Sequence, residues 1–182
     1  MQKFPYLALS FFLLIADQLS KWGVSEHMIR PAIDDGGVSL GLIEWLSSAP
    51  GRLPFTSIEI LPFFNIVMVW NQGVSFGMLS NNAEYGAALL SGLSLLISSV
   101  FLIWLFRSRS QLQCLAIAFV IAGAIGNVID RVRFGAVIDF LDFYVAGLHW
   151  PAFNIADSCV FVGVFLLIIQ SFFFETDEKD AK

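Results

Sequence analysis

The chain has 182 residues, 57% of them hydrophobic and 14% charged, with a net charge of -5 and a mean hydropathy of +0.76. A water-soluble domain of this length carries roughly a quarter charged residues, so the composition places this chain in a bilayer. Its few Lys and Arg residues form no basic patch, which argues against a nucleic-acid partner.

The first apolar segment covers about residues 4–24, pure from Phe4 to Ala16 and then interrupted by Asp17 and Lys21. Lys3 followed by such a run imitates a signal peptide. However, DQLSKW stands where a small-x-small cleavage site would be, so a retained membrane helix is expected. Residues 25–82 are mixed in character and hold Pro31, Pro50, Pro54 and Pro62. Within them SIEI and NIVMVW have the β-branched content of strands. This stretch is too long for a simple connection between helices and predicts a small, partly β subdomain ending in the turn-like NQGVSFG.

Further spans are expected at about 83–106, 112–131 and 153–174, each near the ~20 residues that a bilayer-crossing helix needs. The very short SRSQ link makes the second and third spans antiparallel neighbours. Between spans three and four, residues 132–152 are too polar and too broken by Gly135, Gly147 and Pro151 to cross a membrane, and are expected as an outer loop. Their Phe143, Tyr144 and Trp150, with Phe153 beyond, suit an interfacial aromatic belt. The fold class is therefore membrane α-helical, with four transmembrane helices and a small, partly β extramembrane subdomain on the outer side, in a single domain spanning 1–182. Cys114 and Cys159 lie inside apolar runs without CxxC or Cys/His spacing, so neither a metal site nor a cofactor is expected.

Alternation of four spans constrains the polar residues. With the N-terminus inside, as Lys3, Arg107 and Arg109 favour by the positive-inside tendency, Asp17, Asn71, Asn127, Asp130, Arg131, Asp139, Asn154 and Asp157 all fall at the outer face. Ionisable groups at membrane depth are costly unless they face a protein interior or a wet cavity. Their convergence points to one site.

Each motif alone has a plain structural reading. Asp17 and Lys21 are spaced i, i+4 with the acid first, a favourable order for an ion pair at a helix end. Asn71 and Gly73 suit a turn. In GNVIDR, Asn127, Asp130 and Arg131 share a helix face, and in FNIAD, Asn154 offers an N-cap three residues before Asp157. Asp157 is followed at once by SCVFVGVFLLII, and Asp139 is framed by apolar neighbours in AVIDFLDF. For Asp139 the structural alternative is an ion pair with Arg131 or Arg133. Asp142, three residues on, reads as a solvent-facing relative.

The ordered set DQLSK (17–21), NQGVSF (71–76), GNVIDR with the downstream VIDF (126–140) and FNIADS (153–158), on four apolar spans, resembles lipoprotein signal peptidase, the bacterial signal peptidase II family of intramembrane aspartic peptidases. The resemblance covers nearly the whole chain. It implies that Asp139 and Asp157 are catalytic, that Asn71, Gly73, Asn127, Arg131 and Asn154 line the substrate site, and that Asp17, Lys21 and Asp130 support it. The implied substrate is a prolipoprotein whose cysteine carries diacylglycerol, cut just before that cysteine. The implied setting is the bacterial cytoplasmic (inner) membrane, with membrane lipid around a monomer whose active site lies at the outer face. One departure is a longer segment around GGVSLGLIEWLSSAPGRLPF, residues 36–55. The alternative from another class is a small membrane transporter or proton-conducting protein using the same carboxylates. Acids gathered at one face, without an inverted repeat, weigh against it.

Overall fold

The computed structural model describes residues 2–34, 37–73 and 83–174. Helix α1 (Phe4–Val24) runs on through a π-helical turn (Ser25–Ile29) into the short α2 (Arg30–Ile33), and α3 (Leu42–Ser47) follows. Strands β1 (Ser57–Leu61) and β2 (Phe64–Asn71) precede the long helices α4 (Ala83–Arg107) and α5 (Gln111–Phe134). Strands β3 (Val137–Val145) and β4 (Leu148–His149) then lead to α6 (Ile155–Phe174). Four helical stretches are long and apolar enough to cross a membrane: Phe4–Ile33, Gly86–Arg107, Gln111–Phe134 and Ile155–Phe172. Large apolar side chains such as Phe11, Leu96 and Phe161 stay exposed along them, as lipid-facing positions do.

Helices α4 and α5 are joined through residues 108–110, with Ser110 as N-cap accepting the Gln113 N–H. At its other end α5 stops at Gly135, which takes a left-handed φ of 68° and donates its N–H to the Arg131 carbonyl. Helices α5 and α6 approach closely through small residues. A Cβ on Gly123 would lie 2.1 Å from the Ala156 carbonyl oxygen, and one on Gly163 would lie 2.6 Å from that of Ala116. In lipid, where burial of apolar surface gives helices little reason to associate, such backbone contact is what packs them.

The four strands form one antiparallel sheet in the order β1-β2-β3-β4. Its first two strands coincide with SIEI and NIVMVW. The third corrects the sequence reading of 132–152 as a connecting loop: Val137–Val145 is a nine-residue strand at the heart of the sheet. Successive residues Val137, Ile138, Asp139 and Phe140 are all buried. A strand covered on both faces shows no period-2 alternation to read. The inner core of this end joins Val24, Ile29, Trp45, Ile66, Met68, Phe134, Ile138 and Phe140.

Candidate active site

Two chain crossings bring the acids together. Strand β2 pairs with β3 so that Val69 stands opposite Asp139 and Asn71 opposite Val137, placing Asn71 on the face of Asp139. On the other side of β3, Phe153 exchanges backbone hydrogen bonds with Leu141 and accepts from Phe140. That bridge delivers Asn154, and with it the first turn of α6, to the same place.

The carboxylate of Asp139 is buried and accepts from the Asn71 side-chain amide at 2.9 Å and the Asn154 side-chain amide at 2.7 Å. Among the described residues no ion pair within hydrogen-bonding range joins Asp139 to Arg131 or Arg133. Asn154 also caps α6, its Oδ1 accepting the Asp157 N–H at 2.8 Å. Asp157 Oδ1 in turn accepts from Asn127 at 2.7 Å, and Asn154 donates to the Ile138 carbonyl at 3.1 Å. Burial, and then the Asp157 charge, push the Asp139 carboxyl from 3.8 up to about 7, against the two amide hydrogen bonds and the more distant Lys21.

Gly73 takes a left-handed φ of 73° and donates its N–H to Asn71 Oδ1 at 2.7 Å, fixing the Asn71 side chain. A Cβ there would meet Leu90 at 2.4 Å and come within 3.8 Å of an Arg131 guanidinium nitrogen. Only glycine fits. Among the described residues, Arg131 Nε is buried without a hydrogen-bond partner. Residues 74–77 of the NQGVSFG turn lie outside the described residues.

Behind the two aspartates sits a buried ionic cluster. Lys21 Nζ lies 2.8 Å from Asp17 Oδ2 and 2.7 Å from Asp130 Oδ2, all three side chains almost wholly excluded from solvent. Gln18, missed in the sequence, donates to both acids at 3.1 and 3.0 Å. Its signal was its place inside DQLSK, one residue from an acid already singled out. Asp17 Oδ1 accepts the N–H of Ala156 at 2.8 Å, and Asp130 Oδ2 that of Ile138 at 3.2 Å. Each supporting acid therefore holds the backbone just before one of the two site aspartates. Gly126 makes room for this, since a Cβ there would lie 2.7 Å from Asp17 Oδ2.

Asp142 is not the solvent-facing relative that its spacing suggested. It is buried on the opposite face of β3, accepts from Asn65 at 2.9 Å and meets His149 Nδ1 at 2.9 Å. Among the described residues no group of three His, Cys, Asp or Glu side chains is arranged to hold a metal ion. Beside Asp157 an apolar groove of about 380 Å³ opens along α6, lined by Trp150, Phe153, Ser158, Phe161 and Val162.

Residues 9–173 match the family model described as signal peptidase (SPase) II. The chain belongs to the signal peptidase II family. It is 36% identical over 165 residues to the lipoprotein signal peptidase of Polynucleobacter necessarius, covering 90% of this chain and 86% of that one. The corresponding protein of Acinetobacter baylyi is 35% identical, with 93% and 83% covered. That of Alteromonas mediterranea is 49% identical over a shorter region, 65% of this chain and 66% of its own. A solved structure described as a bacterial membrane enzyme, determined in meso at 2.3 Å, superposes with a TM-score of 0.67 at 28% identity, covering 98% of this chain and 93% of the other. Membership makes this a multi-pass membrane protein of a protease family in bacterial lipoprotein processing. The transport alternative draws no support from these relatives.

Proposed function

We propose that this protein is an aspartic endopeptidase that removes the signal peptide from diacylglyceryl-modified prolipoproteins, cutting just before the lipidated cysteine, with Asp139 and Asp157 as the catalytic pair. The observation that carries this reading is the Asn154 side chain, which donates to the Asp139 carboxylate while accepting the N–H of Asp157. One amide thus ties both acids into a single unit. Because the Asp139 carboxyl is pushed up to about 7, Asp139 can carry a proton near neutral pH.

Such a pair can supply acid and base together. The ionised carboxylate takes a proton from water as its oxygen attacks the scissile carbonyl carbon, and the protonated one donates to the carbonyl oxygen. Collapse of the tetrahedral intermediate breaks the C–N bond. The proton taken from water passes to the leaving amine, and the carbonyl oxygen returns its proton to the dyad. Asn71, Gly73, Asn127, Arg131 and Asn154 line the substrate site in this account. Asp17, Lys21 and Asp130 hold the backbone behind the dyad. A single chain supplies both carboxylates, which supports a working monomer.

The apolar groove beside Asp157 supports a lipid-bearing substrate. An acyl chain left in the bilayer holds its cysteine at a fixed depth, each buried CH2 contributing ~0.8 kcal/mol. We place the protein in the bacterial cytoplasmic (inner) membrane with the dyad at the outer face, as the positive charges of Lys3, Arg107 and Arg109 favour. The test is cleavage by purified protein of one precursor with and without its diacylglyceryl group. Cutting of the lipidated form alone is expected, and equal cutting of both would refute the substrate assignment.

A further inference from the structure

Among the described residues no hydrogen bond joins residues 37–56 to either site aspartate, yet their fixed points grip the two strands that carry Asp139 and Asn71. The segment is first moored to the end of α1, where the Leu40 carbonyl accepts from Trp22 Nε1 at 2.9 Å and the Leu40 N–H donates to the buried Glu26 at 2.9 Å. It then inserts Trp45, 1% exposed, into the core that contains Ile138 and Phe140, the neighbours of Asp139. The Arg133 guanidinium stacks over the Trp45 ring at 4.1 Å and over the Phe134 ring at 4.5 Å, and donates to the carbonyls of Trp45 and Ser48. Further on, Arg52 donates through Nε and Nη2 to the Phe134 carbonyl, where α5 gives way to β3. The same guanidinium lies 5.6 Å from the Trp70 ring, and Trp70 Nε1 donates to the Leu53 carbonyl at 2.8 Å. Phe134 leads through Gly135 into β3 and Asp139, while Trp70 directly precedes Asn71.

We propose that residues 39–53 form a strap that positions the Asp139–Asn71 pair, with Trp45 and Arg52 as its positioning residues. Trp45 fills the space under β3, and Arg52 fixes the α5–β3 turn to β2. Slack at either point lets Asp139 shift relative to Asn71 and Asp157 without removing any group that touches substrate. This inference rests on the dyad reading above.

The test compares wild-type protein with Trp45→Phe, Arg52→Gln and Ile43→Ala, the last replacing a side chain 82% exposed on the same short helix. Cleavage rate, KM and the pH profile of kcat are measured per folded enzyme, with Asp139→Asn alongside. Displacing a reacting group by about 1 Å can cost on the order of 100-fold in rate. For Trp45→Phe and Arg52→Gln we therefore expect kcat to fall roughly 10-fold or more, KM to stay within about twofold, and the high-pH limb of the profile to move. Ile43→Ala should match the wild type. The charged groups acting on Asp139 (Asp157 on α6, Arg131 on α5, Lys21 on α1) are unchanged in all three, so a moved limb reports displacement of the dyad. Wild-type kcat and an unmoved limb in both folded variants would overturn the strap, as would a loss that tracks only the folded fraction. Should Arg52→Gln fail to fold, Arg52→Lys, which keeps the charge but not the two-pronged hold on the Phe134 carbonyl, is judged by the same criteria. An active Asp139→Asn would instead defeat the dyad, whatever the strap variants do.

Discussion

Asp17 Oδ1 accepts the backbone N–H of Ala156 at 2.8 Å, joining the first helix to the residue that precedes Asp157. The counterpart bond runs from the Ile138 N–H to Asp130, immediately before Asp139. Lys21 lies between the two acids and sets their separation. The placement of the two site aspartates is thus tied, through the backbone before each of them, to a buried charge cluster. Asp17→Ala should lower kcat by roughly 10- to 100-fold, because a shift of the backbone before Asp157 by about 1 Å can cost on the order of 100-fold. Asp17→Asn, which keeps an acceptor for the Ala156 N–H, should retain more activity than Asp17→Ala. Steady-state kinetics on the two variants checks the order.

Lys21→Met should be severely destabilising. It leaves two carboxylates buried without their cation, and breaking a buried ionic cluster in this way costs about 3–5 kcal/mol. Thermal unfolding in detergent would show the loss. The double variant with Asp130→Asn should recover part of it, because the second change removes one of the stranded charges.

Stability should depend on pH through Asp139. Its carboxyl titrates at 3.8 when unperturbed and at about 7 in the folded protein, so the folded state keeps a proton that the unfolded chain has released. Stability is then greatest below about pH 4 as far as this group is concerned, falls as pH rises toward 7, and levels off above. The total is on the order of 4 kcal/mol. Unfolding curves across that window should show the slope in the wild type and lose most of it in Asp139→Asn.

Asp142→Asn should leave cleavage within about twofold while lowering stability by roughly 1.5–3 kcal/mol, the range for hydrogen bonds to a charged group. Its bonds to Asn65 and His149 pin the sheet on the face away from the dyad. Parallel activity and unfolding measurements separate the two effects.

Much of this architecture was legible because the signals were local. The four apolar runs set the helices, and β-branched SIEI and NIVMVW set the first two strands. The i, i+4 spacing of Asp17 and Lys21 foretold their contact. What escaped was non-local. Asp130 joins the same lysine from more than a hundred residues away. Strand β3 lacked alternation because both its faces are covered, and that also hid which face Asp142 would take. Trp45 gave no periodic signal in a six-residue helix, and its burial depends on Arg133 and Phe134 at the far end of α5.

The measurement that tests the central claim most directly is cleavage of a diacylglyceryl-modified precursor by Asp139→Asn and Asp157→Asn, each first shown to be folded. Either change converts an acceptor-rich carboxylate into an amide that can neither take a proton from water nor share one with its partner. Both variants are expected to lose essentially all activity, while Asp142→Asn continues to cut. Normal cleavage by folded Asp139→Asn or Asp157→Asn would contradict the account.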